Sequence, residues 1–104
     1  QTKTKGNINY LGISTGMNSL IRPTLYNARH EIHNISASYD REKKEYTIVG
    51  PICETGDILG ENRILPETNN EDYILIENGG AYGYTMSSNY NLRPPADEFI
   101  IKYE

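Results

Sequence analysis

Cysteine is almost missing from this sequence: its 104 residues hold one thiol, Cys53. A single cysteine excludes a disulfide within the chain. No apolar run approaches the roughly 18 residues needed to cross a bilayer, and no signal-peptide pattern opens the sequence. These absences point to a reducing, soluble, cytoplasmic setting, with no membrane partner. In that setting the sequon Asn34-Ile35-Ser36 is a chance match. Basic clustering is lacking too. Ten Lys and Arg stand against fourteen Asp and Glu, for a formal charge of −4. Apart from Lys43-Lys44 the cations are scattered, so no stripe follows a phosphate backbone, and nucleic acid is not an expected partner. No P-loop, Rossmann fingerprint or assignable Ser/His/Asp set occurs.

The apolar content is tyrosine-heavy: nine Tyr, one Phe and no Trp. Tyrosine buries a ring while its hydroxyl seeks a polar partner. A chain of this length forms one domain with a thin core and wet aromatic margins, too small to enclose a deep active site.

Along the chain, Asn7 to Thr15 carries alternating β-branched and aromatic residues and predicts a strand ending at Gly16. Residues about 18–27 predict a short helix, with Pro23 near its first position, where a missing N–H costs nothing. His30 to Tyr39 predicts a strand with one wet face, and the charged run Asp40 to Glu45 a solvated turn. "YTIVGPI" resumes the strand pattern until Gly50-Pro51. The polar stretch from Glu54 to Asp72 reads as a connection. "YILIENGGAYGYTM" reads as two strands about a Gly-Gly turn, and "EFIIKYE" as a final strand. The expected fold is therefore all-β, an antiparallel Greek-key-like barrel or sandwich with one short helix. The opening "QTKTKG" and a last strand running to Glu104 suggest a piece of a longer protein.

Four places could carry chemistry. In "VGPICETGD", Cys53 sits among turn formers and acids. A thiol is mostly protonated at neutral pH, and a neighbouring carboxylate keeps it so; it suits proton donation better than nucleophilic attack. Single thiols are also often inert core fillers. Arg22 and Tyr26, four apart on the short helix, present a five-donor fork beside a phenol and could grip a carboxylate. A surface ion pair with a packed tyrosine is the plainer reading. "NGGAYGY" sets three glycines around Tyr82, giving either backbone clearance for a ligand or a tight turn. "HEIH", His30 to His33, lacks zincin spacing, and on a strand its imidazoles point apart; no metal site is expected.

Taken in order, "GMNSLIRPTLY", "GPICETGD" and "GAYGYTMSSNYNLRPP" resemble the C-terminal segment of the diaminopimelate decarboxylases. These are pyridoxal-phosphate enzymes of the alanine racemase and ornithine decarboxylase fold type. The blocks span Gly16 to Pro95. The resemblance implies a C-terminal β-domain, here residues 1–104. It would complete the active site of a TIM-like barrel domain, often in the second subunit of a head-to-tail homodimer.

It implies that Cys53 protonates the carbon left by decarboxylation, and that Arg22 and Tyr26 bind the carboxylate that stays. Glu54 would meet the distal ammonium of meso-diaminopimelate, and Tyr82 would lie near both substrate and cofactor phosphate. Ornithine and arginine decarboxylases share the cysteine and the Gly-Ala-Tyr block, but their substrates have no second carboxylate. The cofactor lysine of the family belongs to the barrel. Lys3, Lys5, Lys43, Lys44 and Lys102 match no such context, so the chain alone is expected to be inactive. Arg29 stands where the family commonly has an aromatic. Two alternatives stay open: a decarboxylase of this fold for another amino acid, or a non-catalytic interaction domain.

Overall fold

A computed structural model describes residues 1–52 and 54–102. Two sheets and two short helices make up its regular structure. Strands β1 (Thr2–Lys5), β2 (Ile8–Gly12), β4 (Lys43–Val49) and β5 (Ile58–Pro66) form a four-stranded sheet in the order β1-β2-β4-β5. Strands β3 (Ile32–Asn34) and β6 (Ile74–Ile76) form a separate antiparallel pair, with His33 opposite Leu75. Among the described residues the sheets do not close into a barrel. Helix α1 spans Arg22–Tyr26, α2 spans Gly80–Thr85, and a 3-10 turn covers Tyr90–Leu92.

Leu11, Leu20, Ile32, Tyr46, Ile48, Leu59 and Leu65 form the buried core, and Ile13, Ile74 and Ile76 pack against it. The short pair β3/β6 therefore covers the apolar face of the larger sheet. Burial of these side chains supplies the main favourable free energy of the domain. Tyr46 shows how a tyrosine serves such a core: its ring is 4% exposed, and its hydroxyl accepts a bond from the Thr68 N–H at 3.0 Å. Arg63 is buried as well and donates from Nη1 to the His30 carbonyl at 2.7 Å. Desolvation draws its pKa below the ordinary guanidinium value, and nearby Arg29 adds to the shift.

Several expectations need correction. The sheet is not purely antiparallel: β2 pairs with β4 in parallel, Leu11 opposite Ile48. The two strands are far apart in sequence, so no hairpin dictates their direction. The connection expected after Glu54 contains β5, the longest strand. Its alternation is broken by bulges, because Tyr46 and Ile48 oppose Arg63 and Gly60, with Asn62 at φ 54° between them. An inserted residue shifts the inward-facing set and hides the period of two.

The strand expected over His30 to Tyr39 shrinks to Ile32–Asn34, because Asn34 Oδ1 accepts the Ser36 and Ala37 N–H groups and turns the chain. The charged turn ends early, and Lys43 already belongs to β4. The second strand after Gly79-Gly80 is instead α2, so the described residues form two α-helices rather than one. The buried Gly83 of α2 packs against Leu20. Residues 98–102 form no strand, and Tyr103 and Glu104 lie outside the described residues. No helix among the described residues is long and apolar enough to cross a membrane.

Candidate active-site half

The short turn Gly16 to Leu20 organises the candidate residues. It closes on itself through the Ser19 and Leu20 N–H groups, which donate to the Gly16 carbonyl at 2.9 and 3.2 Å. Helix α1 follows directly. Pro23 sits in its first turn, where its missing N–H costs no hydrogen bond. Asn27 ends it in the left-handed conformation at φ 54°, a backbone state that asparagine tolerates well. Arg22 is half-buried on this helix and Tyr26 is 62% exposed.

The acidic turn packs beside α1. Thr24 Oγ1 donates to the Gly56 carbonyl at 2.6 Å, so the helix bearing Arg22 and Tyr26 is tied to the turn bearing Glu54. Glu54 and Thr55 are exposed, as the turn reading requires. Cys53, the candidate proton donor, lies outside the described residues. Its neighbours are fixed: the Glu54 N–H donates to the Ile52 carbonyl at 2.7 Å, and the Asp57 N–H to the Glu54 carbonyl at 3.0 Å. Asp57 itself, expected as one more turn acid, is 2% exposed.

A third segment joins from the C-terminal side. The Ser88 N–H donates to the Asn18 carbonyl at 2.8 Å, and Asn18 Nδ2 donates to the carbonyls of Arg93 and Pro94, both at 3.2 Å. The Ala96 N–H reaches Ser19 Oγ at 3.0 Å. These bonds draw the 3-10 turn towards the acidic loop, where the Tyr90 hydroxyl donates to Glu54 Oε2 at 3.4 Å. Tyr90 was not singled out from the sequence. Its one signal was membership of the block that also holds Tyr82.

Tyr82 is 75% exposed on α2. Leu20 links its helix to the Gly16 turn, but no hydrogen bond joins the Tyr82 hydroxyl to Arg22, Tyr26 or Glu54 among the described contacts. The two histidines separate: His30 is buried with Nδ1 2.9 Å from the Glu77 carbonyl, whereas His33 is exposed with Nε2 3.3 Å from Glu77 Oε2.

Several clefts open on the surface of the described residues, including two of larger volume. One, of about 450 Å³, runs between α1 and β5, and the other, of about 810 Å³, lies against Ile13, Thr68 and Ile74. Neither is lined by Arg22, Tyr26, Glu54 or Tyr82. Tyr26, Glu54 and Tyr82 thus stand on exposed surface outside both clefts, and Arg22 is half-buried on α1.

Comparison with known proteins agrees with this partial character. The chain is 44% identical over 100 residues to a diaminopimelate decarboxylase from Aquifex aeolicus, covering 96% of this chain and 24% of that one. The diaminopimelate decarboxylase from M. jannaschii in co-complex with L-lysine superposes with a TM-score of 0.86 at 35% identity, over 91% of this chain and 21% of that chain. The Helicobacter pylori enzyme complexed with L-lysine gives 0.80 at 42% identity, over 88% and 22%. The chain therefore spans about a quarter of the length of these relatives. A family model described as "Pyridoxal-dependent decarboxylase, C-terminal sheet domain" matches residues 1–80. By sequence and fold together, this chain belongs to the C-terminal sheet domain family of the pyridoxal-dependent decarboxylases.

Proposed function

We propose that residues 1–104 are the C-terminal β-domain of a cytoplasmic diaminopimelate decarboxylase, which converts meso-2,6-diaminopimelate to L-lysine and carbon dioxide in lysine biosynthesis. The observation that carries this reading is the 2.6 Å bond from Thr24 Oγ1 to the Gly56 carbonyl. It couples the Arg22–Tyr26 helix to the Glu54 turn. That tie supports a reading in which Arg22 and Tyr26 meet a carboxylate and Glu54 an ammonium of one substrate charged at both ends. The relatives' names, and their complexes with L-lysine, support the same substrate and product.

In this proposal the active site is completed by a TIM-like barrel domain and by the second subunit of a homodimer. In the same reading the two sheets, unclosed among the described residues, correspond to the walls of a Greek-key-like barrel. The exposure of Tyr26 and Tyr82, at 62% and 75%, is consistent with surfaces that a partner domain covers.

Pyridoxal phosphate, when bound, supplies the electron sink that accepts the pair released as carbon dioxide departs. This chain's residues fit an edge contact to that group rather than its covalent anchor. Lys44 lies 3.0 Å from Glu67, which raises its pKa, the reverse of what an amine nucleophile needs. Tyr82, exposed on α2, would be the residue of this chain that helps hold the cofactor.

The remaining roles belong to this chain. Arg22 offers two parallel N–H groups to the carboxylate that stays, and Tyr26 adds a hydroxyl. Glu54, oriented by Tyr90, receives the distal ammonium and sets the length of substrate that fits. The Cys53 thiol gives its proton to the carbon that lost carbon dioxide: the S–H bond breaks, a C–H bond forms, and solvent returns a proton to sulfur.

The test uses the full-length enzyme that contains this chain. Cys53→Ala lowers kcat by about 10²- to 10⁴-fold, the usual range for a lost general acid. Arg22→Ala lowers kcat/KM for diaminopimelate by about 10- to 100-fold, as expected for a charge-assisted hydrogen bond. Wild-type kcat in the Cys53 variant would overturn the proton-donor role. An unchanged kcat/KM in the Arg22 variant would overturn the carboxylate role.

A further inference from the structure

Asp57 has no part in the reaction as proposed above, yet its carboxylate is buried and bonded to two backbone N–H groups. Its side chain is buried with 2% exposure. Oδ1 accepts the Met17 N–H at 2.7 Å, and Oδ2 accepts the Ile52 N–H at 2.8 Å. Its carbonyl also receives the Gly50 N–H at 3.1 Å. A side chain at either glycine would collide with it, since a β-carbon at Gly16 or Gly50 would stand 2.5 to 2.6 Å from the nearest Asp57 oxygen. Two chain segments, Gly16–Met17 and Gly50–Ile52, thus converge on one carboxylate, with no room for a β-carbon at either glycine.

The segments are those that matter to the site. Met17 belongs to the turn that launches α1, with Arg22 and Tyr26, and that also holds residues 88–96 through Asn18 and Ser19. Ile52 immediately precedes Cys53 and Glu54. A carboxylate bonded to both N–H groups fixes the distance between the two halves of the substrate surface. An asparagine cannot do the same, because its amide has one acceptor and its NH₂ would face the second N–H.

We propose that Asp57 is a positioning residue: by bridging Met17 and Ile52, it holds the turn that bears Glu54 in register with the Arg22–Tyr26 helix, and so sets how the substrate is presented for reaction. The inference rests on the decarboxylase reading above. Reacting groups displaced by about 1 Å lose on the order of 10²-fold in rate, so a loosened latch shows in kcat before it shows in folding.

The experiment compares full-length, cofactor-loaded enzymes carrying Asp57→Asn, Asp57→Ala, Cys53→Ala and Asp72→Asn. Asp72 is a comparable control because it is hydrogen-bonded by Asn34, Asn69 and Arg41, away from these loops. Four quantities are read: kcat, KM for diaminopimelate, the rate of Cys53 alkylation by iodoacetamide in the folded enzyme, and hydrogen exchange at the Met17 and Ile52 amides.

The expected result for Asp57→Asn is a fall in kcat of about tenfold or more, a several-fold change in alkylation rate, and faster exchange at one or both amides. Asp72→Asn lowers the melting temperature but leaves kcat and alkylation at wild-type values. Should Asp57→Ala fail to fold, the isosteric Asn variant carries the test. Wild-type kcat and alkylation in a folded Asp57→Asn enzyme overturn the proposal, and so does an equal kcat loss in Asp72→Asn, which would mark a general stability effect. The two levels separate cleanly. Unchanged kcat in Cys53→Ala defeats the functional reading, whereas loss there with none in Asp57→Asn defeats only the latch.

Discussion

Replacing Gly50 by alanine tests the crossing of loops at Asp57 from the backbone side. The new methyl would stand 2.4 Å from Gly16 Cα and 2.5 and 2.6 Å from the two Asp57 oxygens. Ordinary carbon contacts lie at about 3.5 to 4.0 Å, so one segment must retreat by about 1 Å. No flexible side chain is available to yield, because the nearest atom is backbone. A retreat of that size lengthens the 2.7 Å and 2.8 Å bonds from Met17 and Ile52 beyond useful range. Each buried N–H left without an acceptor costs about 1 to 3 kcal/mol. One bond lost outright and one weakened, with some residual overlap, give about 4 kcal/mol. That is a large part of the roughly 5 to 15 kcal/mol that stabilises a domain of this size.

Urea titration of the chain, followed by far-ultraviolet circular dichroism, measures the loss. With a slope of about 2 kcal/mol/M, the midpoint should fall by about 2 M. Gly79→Ala is the matched control: its φ is −58° and nothing lies within 4 Å of the added carbon, so it should shift stability by no more than about 1 kcal/mol. If Gly50→Ala unfolds at the wild-type midpoint, the Gly16, Gly50 and Asp57 segments are not in close contact, and the argument for a rigid latch fails with them.

Two further predictions concern the scaffold. Leu59 is 1% exposed in the core, so Leu59→Ala should cost about 2 to 5 kcal/mol in the same titration; a cost below about 1 kcal/mol would mean the strand β5 is misplaced. Hydrogen bonds from the Asn69 N–H and Asn34 Nδ2, with Arg41 beside them, hold the Asp72 pKa below the ordinary carboxylate value. Its contribution is therefore full above about pH 4 and disappears as pH falls through the lowered folded value. Thermal melts across that acid range should fall less steeply for Asp72→Asn than for wild type, and identical slopes would contradict the assignment.

Parts of this architecture were legible in single residues. Pro23 announced a helix start, and alternation located β2 and β4. The turn character of Glu54 and Thr55 followed from their neighbours. Other parts were illegible for identifiable reasons. The two bulges of β5, with Asn62 at positive φ, broke the alternation that marks a strand. The Gly-Ala-Tyr-Gly-Tyr run has weak helix propensity, yet it forms α2 with Gly83 against Leu20. Asp57 looked like one more turn acid, because burial of a polar side chain depends on which backbone N–H groups arrive around it from elsewhere.

The sequence by itself determined the class and the chemistry on offer. Its β-rich pattern, lone thiol, Arg-Tyr pair and Gly-Ala-Tyr block, in order, identify a decarboxylase sheet domain, because motif identity is carried by residue type and spacing. Tertiary structure alone decided how those motifs meet. The Thr24 to Gly56 bond, the bridge from Asp57 to Met17 and Ile52, and the contact of Tyr90 with Glu54 each join residues more than 30 positions apart. The Ile52 arm of that bridge is the exception, spanning a local turn. Contacts of such range depend on the parallel pairing of β2 with β4 and on a core that brings distant loops together, which no local pattern encodes.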